Sequence, residues 1–256
     1  MDDHALTETA ELGAFKRFVY QSYEKGHKIF AHAETSESLG RIAELEALLL
    51  KGLPPDKKAR ILDFGCGDGL LLWVAQKLGY TELAGVDLSE GMLMRARRRG
   101  LSAKFENMDG LDYLRSKPDG AYDAIAAFDV FEHLTRPELL TTCREMFRTL
   151  SPGGRLLIKV PNGLSPYCGA VLWGDITHER PHTKHSLAGV LTPLGFEDVQ
   201  ASEVAPVPRG LKSAIRSVLW RFVRTGMLIR LAVETGDFHY DALTLNLFVT
   251  ARKAKS

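Results

Sequence analysis

The sequence predicts an α/β domain, a mostly parallel sheet of seven strands with helices on both faces. Two observations carry this. From Arg60 onward, short apolar runs alternate with segments that have helix start and stop signals. Such alternation builds right-handed βαβ units around a parallel sheet. The 256 residues are 45% hydrophobic and 25% charged, the balance of one domain with a sizeable buried core.

The elements follow in order. Residues 14–51 show no strand pattern and include the aromatic cluster Phe15, Phe18, Tyr20 and Tyr23. Within them, 41–51 is a good helix former, closed by Gly52 and two prolines. The first strand is 59–64 and ends at a glycine cluster, with a helix over 70–78. A second strand at 82–87 leads into a helix from Glu90 to Arg99, with Gly100 just past its end. The third and fourth strands are 103–108 and 121–129. A capping box from Thr135 to Glu138, with Pro137 in the first turn, opens the next helix. Ser151–Gly154 reads as a turn into a fifth strand, 155–160. Residues 163–183 read as loop, and a helix from Lys184 must stop near Leu191, ahead of Pro193. The sixth and seventh strands are 196–204 and 243–253, separated by a cationic helical segment at 209–233. The expected layout is a single domain over 1–256. It has a helical N-terminal extension (1–55), a core (56–204 and 244–254) and a helical insertion (205–243).

Composition narrows the function. Lys and Arg total 33 against 32 Asp and Glu, so there is no basic footprint for nucleic acid, and none is expected as a partner. The opening MDDHALTETA lacks the basic start and apolar run of a secretory signal, and no apolar stretch approaches a membrane span. Cys66, Cys143 and Cys168 form no metal-like spacing and read as reduced thiols of a cytoplasmic protein.

The first strand ends in Asp63, then Gly65-Cys66-Gly67-Asp68-Gly69. Dinucleotide folds use G-x-G-x-x-G facing a pyrophosphate. Here the spacing is G-x-G-x-G behind a carboxylate, with Asp68 inside the loop, and acidic residues repel a phosphate. A ligand carrying an ammonium and a sulfonium suits this charge, and the glycines let backbone approach it closely. Asp87, at the end of the second strand, can accept from two ribose hydroxyls, although it could also serve the next helix, for which Ser89 is the better cap. Asp109 follows the third strand, where it can accept from an adenine amino group with Met108 against the ring; Asp-Gly is also an ordinary turn.

The segments DFGCGDG, GVDLSEGML, NMDG, YDAIAAFDVFEHL and LSPGGRLLIKVPN resemble the successive motifs of class I methyltransferases, most of all the group that includes ubiquinone-biosynthesis O-methyltransferases. The resemblance covers about 60–162. It implies a Rossmann-like sheet whose seventh strand is antiparallel and inserted beside the fifth, and S-adenosylmethionine as cofactor, with S-adenosylhomocysteine as product. The cofactor-binding set is then Asp63, Gly65, Cys66, Gly67, Gly69, Asp87, Leu88, Met92, Met108, Asp109, Gly110, Phe128 and Asp129. In the resembling family, backbone near Phe128 lies beside the transferable methyl, with the Glu132-His133 pair close by. Enzymes that methylate amino groups of DNA bases carry an Asn/Asp-Pro-Pro-aromatic signature here. Phe128-Asp129-Val130-Phe131 departs from it.

The acceptor is expected at 173–187, after the fifth strand. His178, Glu179 and His182 match H-E-x-x-H literally. A zinc site of that type needs both histidines on one helical face, and Pro181 breaks the helix. A looser cluster of His178, His182 and His185 is the remaining metal reading, and no metal is expected. The alternatives for His178, His133 and His182 are catalytic or acceptor-positioning groups, with His178 as a base, or plain solvated and packing histidines. Asp175-x-Thr177-His178-x-Arg180-Pro181-x-Thr183 resembles a pattern in methyltransferases of polysaccharide and O-antigen biosynthesis, which implies a sugar hydroxyl as acceptor. A phenol or quinol is the alternative. A nicotinamide-dependent enzyme and a non-catalytic cofactor-binding protein are the rival classes.

Two expectations lie outside the core. Tyr20, Tyr23 and His27 either fold over the cofactor as a lid or belong to plain packing helices. In 209–233, Leu211, Ile215, Val218, Leu219 and Phe222 share one helical face, with Arg209, Lys212, Arg216, Arg221 and Arg224 around the rest and Trp220 at the boundary. The expectation is packing on the protein's own core, pocket or second copy; the alternative is peripheral contact with an anionic membrane. Monomer and homodimer both remain open.

Overall fold

The computed structural model describes residues 36–255 together with Phe15, Phe18 and Val19. Helix α1 (Ser36–Gly52) leads into β1 (Arg60–Phe64), α2 (Leu70–Lys77), β2 (Glu82–Asp87), α3 (Glu90–Arg98), β3 (Ala103–Asn107) and α4 (Gly110–Arg115). Then come β4 (Tyr122–Phe128), a 3₁₀ turn (Phe131–His133), α5 (Arg136–Thr149), β5 (Leu150–Pro161) and α6 (Cys168–Leu172). The chain closes with α7 (Lys184–Leu191), β6 (Phe196–Glu203), α8 (Leu211–Thr235) and β7 (Asn246–Lys253).

The sheet runs β3-β2-β1-β4-β5-β7-β6, with β7 antiparallel to both neighbours. Six strands share one direction and the seventh is inserted beside the fifth, as the sequence led us to expect. Residues alternate between faces along each strand. Leu62, Ile125, Ala127, Leu156 and Ile158 therefore join one core with Leu114 of α4, Met146 of α5 and Leu187 of α7. Ile61, Ala124, Ala126 and Leu157 join the other, with Leu49 of α1, Leu72 of α2 and Leu93 of α3. Burial on both faces explains why Ala124–Ala127 of β4 is a continuous apolar run. Strand order reverses between β1 and β4, which opens a crevice at their carboxyl ends, where ligands of such sheets bind.

Local signals held where local chemistry sets them. Thr135 caps α5 and closes the capping box: its Oγ1 accepts from Glu138 N, and Glu138 Oε2 accepts from Thr135 N at 2.8 Å. Helix α7 stops at Leu191. Gly52 ends α1 flush on β5: a Cβ there would stand 2.5 Å from Leu157 Cδ2.

Other boundaries moved. Strand β5 begins at Leu150, because Ser151–Gly154 bulges opposite Asp123 while pairing continues on either side; Ser151 Oγ donates to Asp123 at 2.8 Å. The stretch expected to be all loop contains α6. Strand β7 starts at Asn246 rather than 243. Tyr20, Tyr23 and His27 lie outside the described residues.

Helix α8 departs most from expectation. None of its residues is buried, and Leu211 (79% exposed), Ile215, Val218, Leu219 and Phe222 (72%) face outward. The opposite side attaches to the domain: Trp220 Nε1 and Arg224 Nε donate to the two Glu203 oxygens at 2.9 and 2.8 Å. The expected packing of the apolar face on the protein's own core is thus reversed. A polar clasp at Glu203 fixes which face turns inward.

Candidate active site

The glycine turn after β1 is built from three left-handed residues: φ is 77° at Gly65, 50° at Gly67 and 74° at Gly69. That region costs a residue with a side chain about 1–2 kcal/mol. A Cβ on Gly65 would stand 2.5 Å from Val130 Cγ2, and one on Gly69 2.8 Å from Ala96 Cβ. One on Gly67 meets only Met92 Cε, at 3.5 Å. The outer glycines therefore serve packing as well as the turn, and Gly67 keeps backbone open beside Met92.

Asp63 lies beneath this turn, 2% exposed, and among the described residues no group donates a hydrogen bond to its side chain. Burial, and then the neighbouring Asp87 and Asp68, push its carboxyl well above the usual range. Asp87 is held firmly: Gly67 N and Ser89 N donate to its two oxygens, both at 2.8 Å. Burial raises its pKa and those two N–H groups oppose the rise. Each carboxylate oxygen keeps a further lone pair. A buried carboxyl with no cation paired to it among the described residues, beside a second carboxylate with spare acceptor capacity, fits a cationic ligand bearing hydroxyls. It does not fit a pyrophosphate. Asp68 does not carry that argument as the sequence suggested, because Arg99 pairs with its side chain and donates from Nε to its carbonyl at 2.7 Å.

The other residues expected at the cofactor fall around the same edge. Ser89 caps α3 through Met92 N at 3.3 Å. Asn107, missed from sequence, donates to the carbonyls of Asp87 and Leu88 at 3.1 and 3.0 Å and fixes the β2 end. Leu88 is 45% exposed. Asp109 caps α4 through Leu111 N at 2.8 Å and Asp112 N at 3.2 Å, so helix capping already accounts for it locally. Gly110 is required by packing, since a Cβ would stand 2.4 Å from Phe64. Met108 packs on the first core. Cys66 is a buried thiol pushed far up by burial and by Asp63. Phe128 closes β4 edge-on to Phe248 at 5.9 Å. Asp129 takes a left-handed φ of 56° and accepts from buried Lys159 Nζ at 2.9 Å. A non-glycine residue in that region marks a backbone over-determined by its surroundings.

The loop after β5 is laced onto the 3₁₀ turn after β4. Glu179 N donates to Glu132 O at 2.7 Å, His182 N to Pro161 O at 3.0 Å and Gly163 N to His182 O at 2.8 Å. These bonds bring His178 against His133, ring centroids 4.6 Å apart and edge to face. Thr177 Oγ1 donates to Asp175 Oδ1 at 2.6 Å and so accepts from His133 Nδ1 at 2.8 Å. His178 Nδ1 donates to Val171 O at 3.1 Å. Burial, and then His178, press His133 down to about 4.

Between them sits a residue that the sequence marked only as a neighbour. Glu132 is 2% exposed, and its Oε2 has no hydrogen-bond partner. Burial, and then Asp129, push its carboxyl up to about 8. The signal was present in the Glu-His pair after the fourth strand, but nothing local said the glutamate turns inward.

His182 belongs elsewhere. It is buried, with Nε2 3.3 Å from Phe131 O, and burial lowers its pKa to about 4. It pins the loop to the turn, its Nε2 directed at the turn's backbone and not at His133 or His178. Glu179 and His185 are exposed, so neither H-E-x-x-H nor His178–His182–His185 forms a cluster. Pro181 is the local cause.

Comparison with known proteins agrees with this geometry. A methyltransferase domain family matches residues 61–154. A ubiquinone biosynthesis O-methyltransferase of Xanthomonas oryzae pv. oryzae is 31% identical over 107 residues, 41% of this chain and 44% of that protein. The match therefore spans less than half of the relative's length. A SAM-dependent methyltransferase from Archaeoglobus fulgidus has the same fold, with a TM-score of 0.63 at 22% identity over 88% of this chain and 99% of that one. So does the [4+2]-cyclase SpnF, with a TM-score of 0.56 at 22% identity over 84% and 82%. One fold thus carries different chemistries, and the site must decide between them.

Proposed function

We propose that this chain is a class I, S-adenosylmethionine-dependent methyltransferase that transfers a methyl group to a hydroxyl of a sugar or glycan precursor, a reading supported by the match of residues 61–154 to a methyltransferase domain family. The observation that carries the reading is the meeting of His133 and His178 beside the carboxyl ends of β4 and β5. S-adenosylmethionine supplies an activated methyl on a sulfonium. The buried Asp63 carboxylate attracts the cofactor's positive charge, and Asp87 accepts from its ribose. His178, with Nδ1–H directed to Val171 O, presents Nε2 as a lone pair that can take the acceptor's hydroxyl proton. Such a base contributes roughly 10²–10⁴-fold. Aligning hydroxyl oxygen and methyl carbon contributes up to about 7–11 kcal/mol.

The polar histidine loop supports a polyol. A second reading, a phenol or quinol, is favoured by the relatives' O-methyltransferase names and by the exposed Tyr167, Trp173 and Ile176 beside the loop. Release of S-adenosylhomocysteine with each acceptor class tests the choice. Turnover with glycan precursors and none with quinols is expected, and the reverse would overturn the sugar assignment.

The ribose assignment has its own test. Asp87→Asn should weaken S-adenosylhomocysteine binding by about 1–3 kcal/mol, the scale of a hydrogen bond to a charged group. Calorimetry on a variant with an unchanged thermal midpoint decides it, and unchanged affinity removes the assignment.

The exposed face of α8 also supports peripheral attachment to an anionic membrane, which suits an acceptor carried on a lipid. Lys212, Arg216, Arg221 and Arg230 flank that face with no acidic partner among the described residues.

A further inference from the structure

We propose that Glu132, His133 and His178 form a binding site for a divalent transition-metal ion of the Zn²⁺ class. This deepens the acceptor-site reading above and rests on it for its role, but not for its test. Three observations carry it. One ligand atom from each residue lies within 4.8 Å of the other two. Cation bonds of about 2.0–2.1 Å place tetrahedral ligands roughly 3–3.5 Å apart, so side-chain rotations closing at most about 1.5 Å assemble the site. Glu132 Oε2 is buried without a hydrogen bond, on a side chain 2% exposed. A buried polar atom left in this way calls for an ion or another partner.

The third observation is the shell behind the histidines. Ligating histidines generally donate the other ring N–H to a carbonyl or carboxylate, which fixes the tautomer and aims the ring. His178 Nδ1 is directed at Val171 O (3.1 Å), and His133 Nδ1 at Thr177 Oγ1 (2.8 Å), which in turn donates to Asp175. Both arrangements put the lone pair on Nε2. The Asp175–Thr177–His178 run thus supplies one ligand and orients another.

Two imidazoles and one carboxylate select a borderline divalent cation over Mg²⁺ or Ca²⁺, which prefer all-oxygen shells. Three protein ligands leave a position open, the arrangement of catalytic rather than structural zinc sites. A substrate hydroxyl at that position becomes more acidic, and His178 then acts as a ligand rather than as the proton acceptor.

The test is metal binding to the full chain after chelator treatment, in the absence of acceptor. Calorimetry with Zn²⁺ and titration with Co²⁺, read by its visible d–d absorption, should each saturate at one ion per chain. His178→Ala and Glu132→Gln should each weaken Zn²⁺ by at least about 100-fold, since outer-shell changes alone reach 10–100-fold. His185→Ala, outside the cluster, should leave it unchanged. S-adenosylhomocysteine affinity serves as the control for folding in every variant. Absence of saturable binding overturns the proposal, as does binding that survives both cluster variants or depends on His185. If the metal fails to bind while S-adenosylhomocysteine still does, the methyl-transfer reading stands and His178 remains a base.

Discussion

His178→Ala lowers turnover by roughly 10²- to 10⁴-fold, while S-adenosylhomocysteine affinity stays within about twofold. The asymmetry is the point of the experiment. His178 stands against His133, at the end of the loop bonded to Glu132, whereas Asp63 and Asp87 lie under the glycine turn. A group used only in the transfer step reduces kcat and kcat/KM together and leaves cofactor binding alone. The same result is expected whether His178 takes the proton directly or holds an ion that acidifies the hydroxyl; only metal binding separates these. Turnover near wild type would remove the loop from the active site. His182→Ala provides a contrast. That ring is buried on Phe131 O, so its loss should lower the thermal midpoint through a lost buried hydrogen bond, about 1–3 kcal/mol, and disturb the loop as a whole.

Arg216→Glu combined with Arg221→Glu releases the protein from anionic vesicles. Helix α8 is clasped to the domain through Trp220 and Arg224 on Glu203. At about 100° per residue this turns Leu211, Ile215, Val218 and Phe222 outward, with Lys212, Arg216, Arg221 and Arg230 beside them. In the proposed attachment, apolar area enters the headgroup boundary and cations meet anionic lipid, each Lys or Arg contributing about 1 kcal/mol near the surface. Reversing two charges should lower partitioning by about 2–4 kcal/mol, roughly 30- to 1,000-fold. Co-sedimentation with phosphatidylserine-containing vesicles reads this directly. Binding should also fall as salt shortens the screening length from about 10 Å at 0.1 M to about 3 Å at 1 M. No vesicle binding at low salt, or a concentration-dependent dimer that buries Phe222, would overturn the membrane role.

Much of the fold, and the local geometry at the ends of β1 and β2, was legible in the sequence, because short-range chemistry decides it. Three glycines at G-x-G-x-G read as a loop whose backbone a ligand can approach closely, and all three take a positive φ that glycine tolerates. Asp63 and Asp87 fall at strand ends because the alternation of strands and helices fixes where each strand stops. The capping box at Thr135 and the stop before Pro193 rest on hydrogen bonds and ring sterics within a few residues. The antiparallel seventh strand was legible only through the family resemblance.

The tertiary structure alone decided which charges are compensated and which histidines meet. Arg99 reaches back to Asp68, and Lys159 crosses from β5 to Asp129, so two apparently available carboxylates are paired. The H-E-x-x-H string sets His178 and His182 four residues apart, a pairing that Pro181 already argued against. The structure instead joins His178 to Glu132 and His133 on a different loop and buries His182 beneath them. On α8 the apolar stripe was visible in the sequence, but the side facing the domain depended on Glu203 of β6. Periodicity and spacing report what lies on one face of one element. Partners brought together by crossovers and loop-to-loop hydrogen bonds have no spacing to read, and burial, which sets the chemistry of Glu132 and His133, is a property of the assembled fold.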